Sequence, residues 1–376
     1  MDDKLKNTDE GDKLAIEGDA AFKKYNEKES SLTLLKDPVY QNGPINLYSS
    51  FYTSGYADYT ATKWSAALGK LKKAVEYSDL MIEHKLLTAP LDTNVLILAG
   101  ITAENSGMKN DAMKYYGRLA DHKIGGEGFE SVYRFLVTNY FQNKDYTAFE
   151  KYKALSEEVF PASGYFKFDK VDFAVGLVSD FSSKQKALEE LLLNDPNDYK
   201  ANEVLGELIY DTLNPKDDQA ALPANADVLE KKMVAAFKKV AAAKPGFENP
   251  FIYVGDHFIN KAVPVNRELQ AQEKAIDDKT KAGGVVSKAD IAKKTALYSK
   301  YGGFLQQAGE PYEKAAQIFS QKSSLTSVDK KQYKKVVSYL IDIASFRKSQ
   351  NKNNPAGADK YAAEEKKWND LWESIK

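Results

Sequence analysis

The side chains that could do chemistry are few and scattered. Three histidines, His84, His122 and His257, stand far apart, and none sits in an HExxH or HxH arrangement. A metal site would need them gathered with carboxylates from distant segments, so ordinary helix-end or surface histidines are the plainer reading. Cysteine is absent, which removes disulfide frameworks, thiolate zinc sites and cysteine nucleophiles together. The glycine-rich stretch IGGEGFE, residues 124–130, precedes a helical pattern as a phosphate cradle would. It lacks the lysine of a GKS or GKT loop and a preceding strand, and reads as a linker. DPND, residues 195–198, matches a calcium loop for three residues only, with no glycine at the sixth place and no glutamate at the twelfth, so a turn explains it better. Carboxylates are plentiful, yet no pair stands out as acid and base. The residues point to no enzyme, no cofactor and no metal.

The elements that would position a site are more legible. The chain has 376 residues, 53 Lys plus Arg and 54 Asp plus Glu, so no global field draws it to nucleic acid or to an anionic membrane. No apolar stretch approaches a membrane span. The start, MDDKLKNTDEGDK, is the opposite of a signal peptide, so the protein is expected to be cytoplasmic or to have its leader absent from this chain. EKKMVAAFKKVAAAK, residues 230–244, is a basic amphipathic helix, but Met233, Val234, Phe237 and Val240 are wanted for a core, which leaves its lysines as a solvated face.

One pattern recurs. Phe51 stands four residues before Gly55, and Gly55 twelve before Ala67; Leu96, Gly100 and Ala112 repeat those offsets, and Tyr133, Val137 and Phe149 repeat them again with bulkier residues. The spacing predicts antiparallel pairs of amphipathic helices that cross where Gly55 meets Ala67 and Gly100 meets Ala112, with Trp64, Leu71, Tyr116 and Leu119 filling the space around. The pair carrying Val137 and Phe149 is expected to be splayed. A single pair cannot bury its outer face, so pairs must stack.

This order of an aromatic or leucine, a small residue, a Tyr or Trp, an alanine and a closing proline resembles the tetratricopeptide repeat (TPR). The likeness covers about residues 45–265, including NDPNDYKANEVLGELIYDTL and AAFKKVAAAKPGFENPFIYVGDHFINKA. It implies an all-α fold, an α–α superhelix or TPR-like solenoid of antiparallel helix pairs. The order of parts is similar to TPR proteins of the Bacteroidota cell envelope, which implies a periplasmic or secreted address.

Four regions are expected: an N-terminal helical cap over 1–44, broken by KDPVYQNGP; the solenoid over 45–264, with an exposed loop at 214–227; a charged helical arm and return helix over 265–328, with KAGGVVSK as its break; and a C-terminal capping pair over 329–376. In that last pair Trp368, Leu371, Trp372 and Ile375 share one face.

Repeat grammar places the residues at minus three, plus one and plus four from the packing glycine on the concave face. These are Tyr52, Tyr56 and Tyr59 in the first unit, with Ile97, Ile101 and Glu104, flanked by Asn94 and Asn105, in the second. The third contributes Arg134, Thr138 and Phe141, flanked by Gln142; Lys200, Glu203 and Tyr210 follow. Tyrosine, arginine and amide side chains suit a peptide groove, because aromatic bodies supply area and polar groups satisfy an extended backbone. The same tyrosines could simply pack between neighbouring helices. The expected function is a non-enzymatic protein-binding scaffold with a protein or peptide partner in the cell envelope; the alternative is a binder of glycans or peptidoglycan fragments.

Overall fold

The computed structural model describes residues 9–217 and 220–375. Among them it contains fifteen α-helices and no strand. Internal packing divides the chain into two units, residues up to Phe173 and those from Ala174.

The first unit holds α1 (Asp9–Lys28), α2 (Pro38–Thr60), α3 (Trp64–Glu83), α4 (Thr93–Asn105), α5 (Lys109–Asp121), α6 (Glu130–Gln142) and α7 (Tyr146–Val159), and α8 (Lys170–Gly176) runs across the division. Helices α2 and α3, α4 and α5, and α6 and α7 form hairpins joined by turns of three residues. Each hairpin turn has a left-handed residue seven positions after the small-residue site: Thr62 (φ 56), Gly107 (φ 73) and Lys144 (φ 59). Aspartates cap several first turns. Asp37 accepts from the Val39 N–H, Asp92 from Val95 and Asp145 from Ala148.

Helix α2 begins at Pro38, earlier than the break expected at KDPVYQNGP. Asp37 caps it, and Pro38 occupies the first turn, where a missing N–H costs nothing; the helix then continues through Pro44. At both crossings the nearest approach to the glycine comes from the residue one turn beyond the alanine. A Cβ on Gly55 would lie 3.0 Å from Leu71 Cγ, and one on Gly100 only 2.2 Å from Tyr116 Cε1. The small residue thus makes room for a large side chain one turn beyond the alanine, while Ala67 and Ala112 are buried nearby. Val137 and Phe149 are both fully buried, and Phe149 packs edge-on against Phe141 and Phe173.

The second unit holds α9 (Phe181–Asn194), α10 (Tyr199–Leu213), α11 (Ala226–Ala243), α12 (Asn249–Lys281), α13 (Lys288–Gln321), α14 (Ser327–Gln350) and α15 (Pro355–Ser374). The same small-against-large contact recurs: Gly206 faces Phe237, and Gly255 faces Tyr312, with a Cβ 2.8 Å and 2.5 Å from the ring. Between α10 and α11 runs the expected loop, of which residues 218–219 lie outside the described residues. Helices α12 and α13, 33 and 34 residues long, form one extended hairpin. Its inner half is part of the core, and its outer half is the charged arm. Buried apolar positions stop at Leu269 and Leu297; beyond them Lys294–Glu273 and Lys279–Asp290 pairs, each 3.0 Å, link the two helices. The turn falls at Ala282–Ser287, within KAGGVVSK, and Ser287 with Asp290 makes a reciprocal cap on α13. In α15, Trp368 and the following Ile375 are buried, Leu371 packs against them, and Trp372 is exposed beneath Lys334.

Candidate functional site

Tyrosines on α2 make the most continuous candidate surface. Tyr48, Tyr52, Tyr56 and Tyr59 are spaced four, four and three residues apart, which keeps them on one stripe of the helix. Leu47, Ser50, Phe51, Ser54 and Gly55 occupy the buried stripe. Successive rings are near-parallel, with centroids 5.8, 6.5 and 6.1 Å apart and planes inclined by 24°, 4° and 19°. Trp64, at the start of α3, ends the row edge-on to Tyr59 at 5.6 Å. The stripe spans about 16 Å of helix at 1.5 Å per residue.

Burial is graded along it. Tyr48 donates its hydroxyl to Asp92 Oδ2 at 2.7 Å, and Asp92 also accepts from Ser78 and caps α4. That end of the stripe is structural, because it ties α2 and α3 to the start of α4. Burial, then the Asp92 carboxylate, raises the Tyr48 phenol well above its usual range, and both act more weakly on Tyr52. Tyr56 is 46% exposed. Tyr48 was not selected by the three offsets used above; extending the stripe by one further turn finds it.

On α4, Asn94 is exposed and Ile97 and Ile101 pack against the core. Asn105 donates back to the Ile101 carbonyl at 2.8 Å, and Glu104 accepts the Tyr116 hydroxyl at 2.9 Å. On α6 the positions are more occupied. Arg134 donates to Glu130 Oε1 through Nε at 2.9 Å and Nη2 at 2.6 Å, while Ser163 donates to the same oxygen. The guanidinium lies 4.6 Å from the Tyr165 ring centre, and Tyr165 meets Thr138 at 2.6 Å. Hydrogen bonds from Ser163 and Arg134 hold the Glu130 carboxyl below its usual pKa. Residues 163–165 therefore cover this part of α6. Phe141 packs with Tyr146, Phe149 and Phe173, which makes it a core contact, and Gln142 is exposed.

In the second unit, Lys200, Glu203 and Tyr210 all lie half-buried on α10. Tyr210 stands edge-on to Tyr253 at 4.9 Å, and Tyr253 stacks on Phe237 at 5.1 Å. Burial raises the carboxyl pKa of Glu207, with Glu203 and Asp211 adding repulsion against a hydrogen bond from Tyr253. Asp256 receives Tyr312 at 2.6 Å and Lys335 at 2.6 Å, and Tyr312 stacks on Tyr339. Glu207 and Asp256 sit one residue after Gly206 and Gly255, so the plus-one offset carried through the later repeats selects both.

The remaining chemical candidates are absorbed by structure. His84 and His122 cap the ends of α3 and α5, and His257 is buried between Glu230 at 2.9 Å and Asn214 at 3.2 Å. Asp198 of DPND caps α10. Lys232 pairs with Glu189, Lys239 donates to the Pro196 carbonyl, and Lys244 lies 3.5 Å from the Tyr199 ring centre. Among the described residues no cluster of three or more His, Cys, Asp or Glu is arranged to hold a metal, and no helix is long and apolar enough to cross a membrane.

No protein-family model and no curated protein matches the sequence. Solved structures similar to the chain include a tetratricopeptide repeat protein from Parabacteroides merdae, 13% identical, covering 77% of this chain and 98% of that one at a TM-score of 0.27. They also include the human IFIT1 dimer with m7Gppp-AAAA, 14% identical, covering 94% and 87% at a TM-score of 0.22. The fold rests on the chain's own geometry: successive antiparallel helix pairs, four of which set a glycine of the first helix against a large side chain of the second, give an all-α arrangement of tetratricopeptide-like pairs.

Proposed function

We propose that the chain is a non-enzymatic binding scaffold that holds a protein or peptide partner, with the α2 tyrosine stripe as its main docking surface. The observation that carries this reading is the continuous row of stacked rings that opens to solvent at Tyr56. Such rings offer rigid apolar area at low conformational cost. Two neighbouring carboxylates, Asp92 near Tyr52 and Glu104 on Tyr116, disfavour phosphate, as does the overall charge of −1. A glycan partner would stack on open ring faces. Here the faces are turned toward one another, which favours a peptide. The cell envelope is the address proposed for that partner, on the resemblance noted above.

Because Arg134 is engaged by Glu130 and Tyr165, its removal is expected to matter less than that of Tyr56. Pull-down from native cells tests this: Tyr56→Ala should lose the partner, whereas Arg134→Ala should retain most of it. Capture unchanged by Tyr56→Ala, in protein of normal helical content, would remove the stripe from consideration.

A further inference from the structure

We infer that a cleft between α11, α12 and α13 in the second unit binds a small aromatic acid, at a site independent of the tyrosine row. The cleft holds about 430 Å³, within the roughly 300–1,000 Å³ of small-molecule sites. Its body is lined by Phe237 of α11, by Pro250, Phe251, Val254 and Phe258 of α12, and by Pro311 of α13. Polar side chains, among them Lys238, Glu310 and Lys314, lie exposed at its edge. The complement of such a lining is an apolar body that carries one exposed polar group.

The repeat explains why the cleft exists and what shape fits it. In the first unit, tyrosines fill the groove between the second helices of successive pairs. Tyr115, one residue before the Tyr116 that faces Gly100, is buried toward α3 and feels its Glu76 and Asp79. Tyr152 of α7, at the same offset in the next pair, is also buried, with its hydroxyl 3.0 Å from a Cβ on Gly117 of α5. In α13 the residue before Tyr312, which faces Gly255, is Pro311. Likewise Lys238, the residue after Phe237, stands where α5 has Gly117, the residue after Tyr116. The Tyr152–Gly117 contact thus becomes Pro311 and Lys238, and the shorter ring leaves Phe251 and Val254 only half-buried. A flat aromatic body occupies the place that a phenol ring has in the first unit and meets Phe251 and Phe258 edge-on or offset. An aliphatic chain would fill the volume but forgo those ring contacts.

The polar group that fits is an anion. Among the described residues Lys238 pairs with no carboxylate, and neither does Lys231, two turns earlier on α11. Both line a second depression of about 350 Å³ that shares Val234 and Phe258 with the cleft. The carboxylates nearby are already engaged: Glu230 by Lys261 and His257, and Glu310 by Lys314 at 3.0 Å. A carboxylate on the ligand would meet free cations, whereas an ammonium would meet only engaged acids.

Calorimetric titration of the full chain with naphthalene-2-carboxylate tests the assignment, with 2-naphthylmethanol, 2-naphthylmethylammonium and decanoate as comparisons. The expected result is saturable binding in which the aromatic acid is tightest, the alcohol and decanoate are weaker, and the ammonium is weakest. Lys238→Gln should weaken the aromatic acid about two- to fivefold and leave the alcohol unchanged. Pro311→Tyr, which installs the residue that fills the groove in the first unit and removes a proline from a helix interior, should abolish binding without loss of helical content. No saturable binding, an ammonium or decanoate as tight as the aromatic acid, or an affinity for the acid untouched by either variant would each overturn the assignment.

Discussion

Replacing Gly100 by alanine puts the architecture under direct strain. The added Cβ would lie 2.2 Å from Tyr116 Cε1 and 2.5 Å from Cδ1, far inside contact distance. Tyr116 cannot retreat easily: it is 2% exposed, its hydroxyl is held by Glu104, and its ring packs edge-on to Phe135 at 5.2 Å. Overpacking of this kind costs about 1–3 kcal/mol, and so close an approach belongs at the upper end. Alanine recovers about 1 kcal/mol of helix propensity, so the net loss should be roughly 2 kcal/mol. At Gly55 the nearest atoms are Leu71 Cγ at 3.0 Å, Leu71 Cδ2 at 3.1 Å and Lys70 Cβ at 3.2 Å, so the neighbours need give by only a few tenths of an ångström. There the two terms nearly cancel, and Gly55→Ala should be close to neutral. Urea denaturation followed by circular dichroism, fitted for the first unit's transition, measures both. In a double-mutant cycle, Gly100→Ala should be less damaging in a Tyr116→Leu background than alone. Equal stability of Gly100→Ala and the parent, or a greater loss at Gly55, would refute the contact scheme.

Other expectations follow from single contacts. Thr62→Gly should stabilise by about 0.5–1 kcal/mol, because relief of a left-handed threonine outweighs glycine's added freedom; thermal melts check it. The hydroxyl of Tyr333 is buried without a hydrogen-bond partner among the described residues, so Tyr333→Phe should raise the second unit's stability by about 1 kcal/mol. Burial holds the His257 pKa below its ordinary 6.5 despite Glu230, so the folded state favours the neutral ring. Its contribution is present above pH 6.5 and is lost as pH falls through the depressed value; His257→Gln should flatten the stability profile of the second unit in that window. Asp329, lowered to about 2 by Lys322 and Thr326, adds a separate loss between its ordinary 3.8 and about 2, which Asp329→Asn should remove.

The repeat was legible in sequence because a glycine facing a bulky side chain leaves a fixed offset: Gly55 to Leu71 and Gly100 to Tyr116 share one spacing. Later copies hide it, since the 214–227 loop and the arm separate Gly206 from Phe237 and Gly255 from Tyr312. Small residues on both strands of the pattern suggest that glycine meets alanine, but side-chain direction decides the contact, and that is not written in spacing alone. Prolines mislead in the same way. Pro38 and Pro44 look like breakers, yet α2 contains both; Pro264 and Pro311 lie inside α12 and α13, so the arm continues the repeat helices instead of starting afresh. The tyrosine stripe follows from helical periodicity. Engagement of Arg134 by Tyr165 does not, because residues 163–165 return to α6 from beyond the next helix.

Site-specific photo-crosslinking tests the docking claim most directly. A benzoylphenylalanine at position 56, in the open part of the stripe, should give one discrete adduct in native extract, diminished by Tyr52→Ala, while the same group at the highly exposed position 193 on α9 gives none of that size. No adduct from position 56, or the same adduct from both positions, would contradict the account.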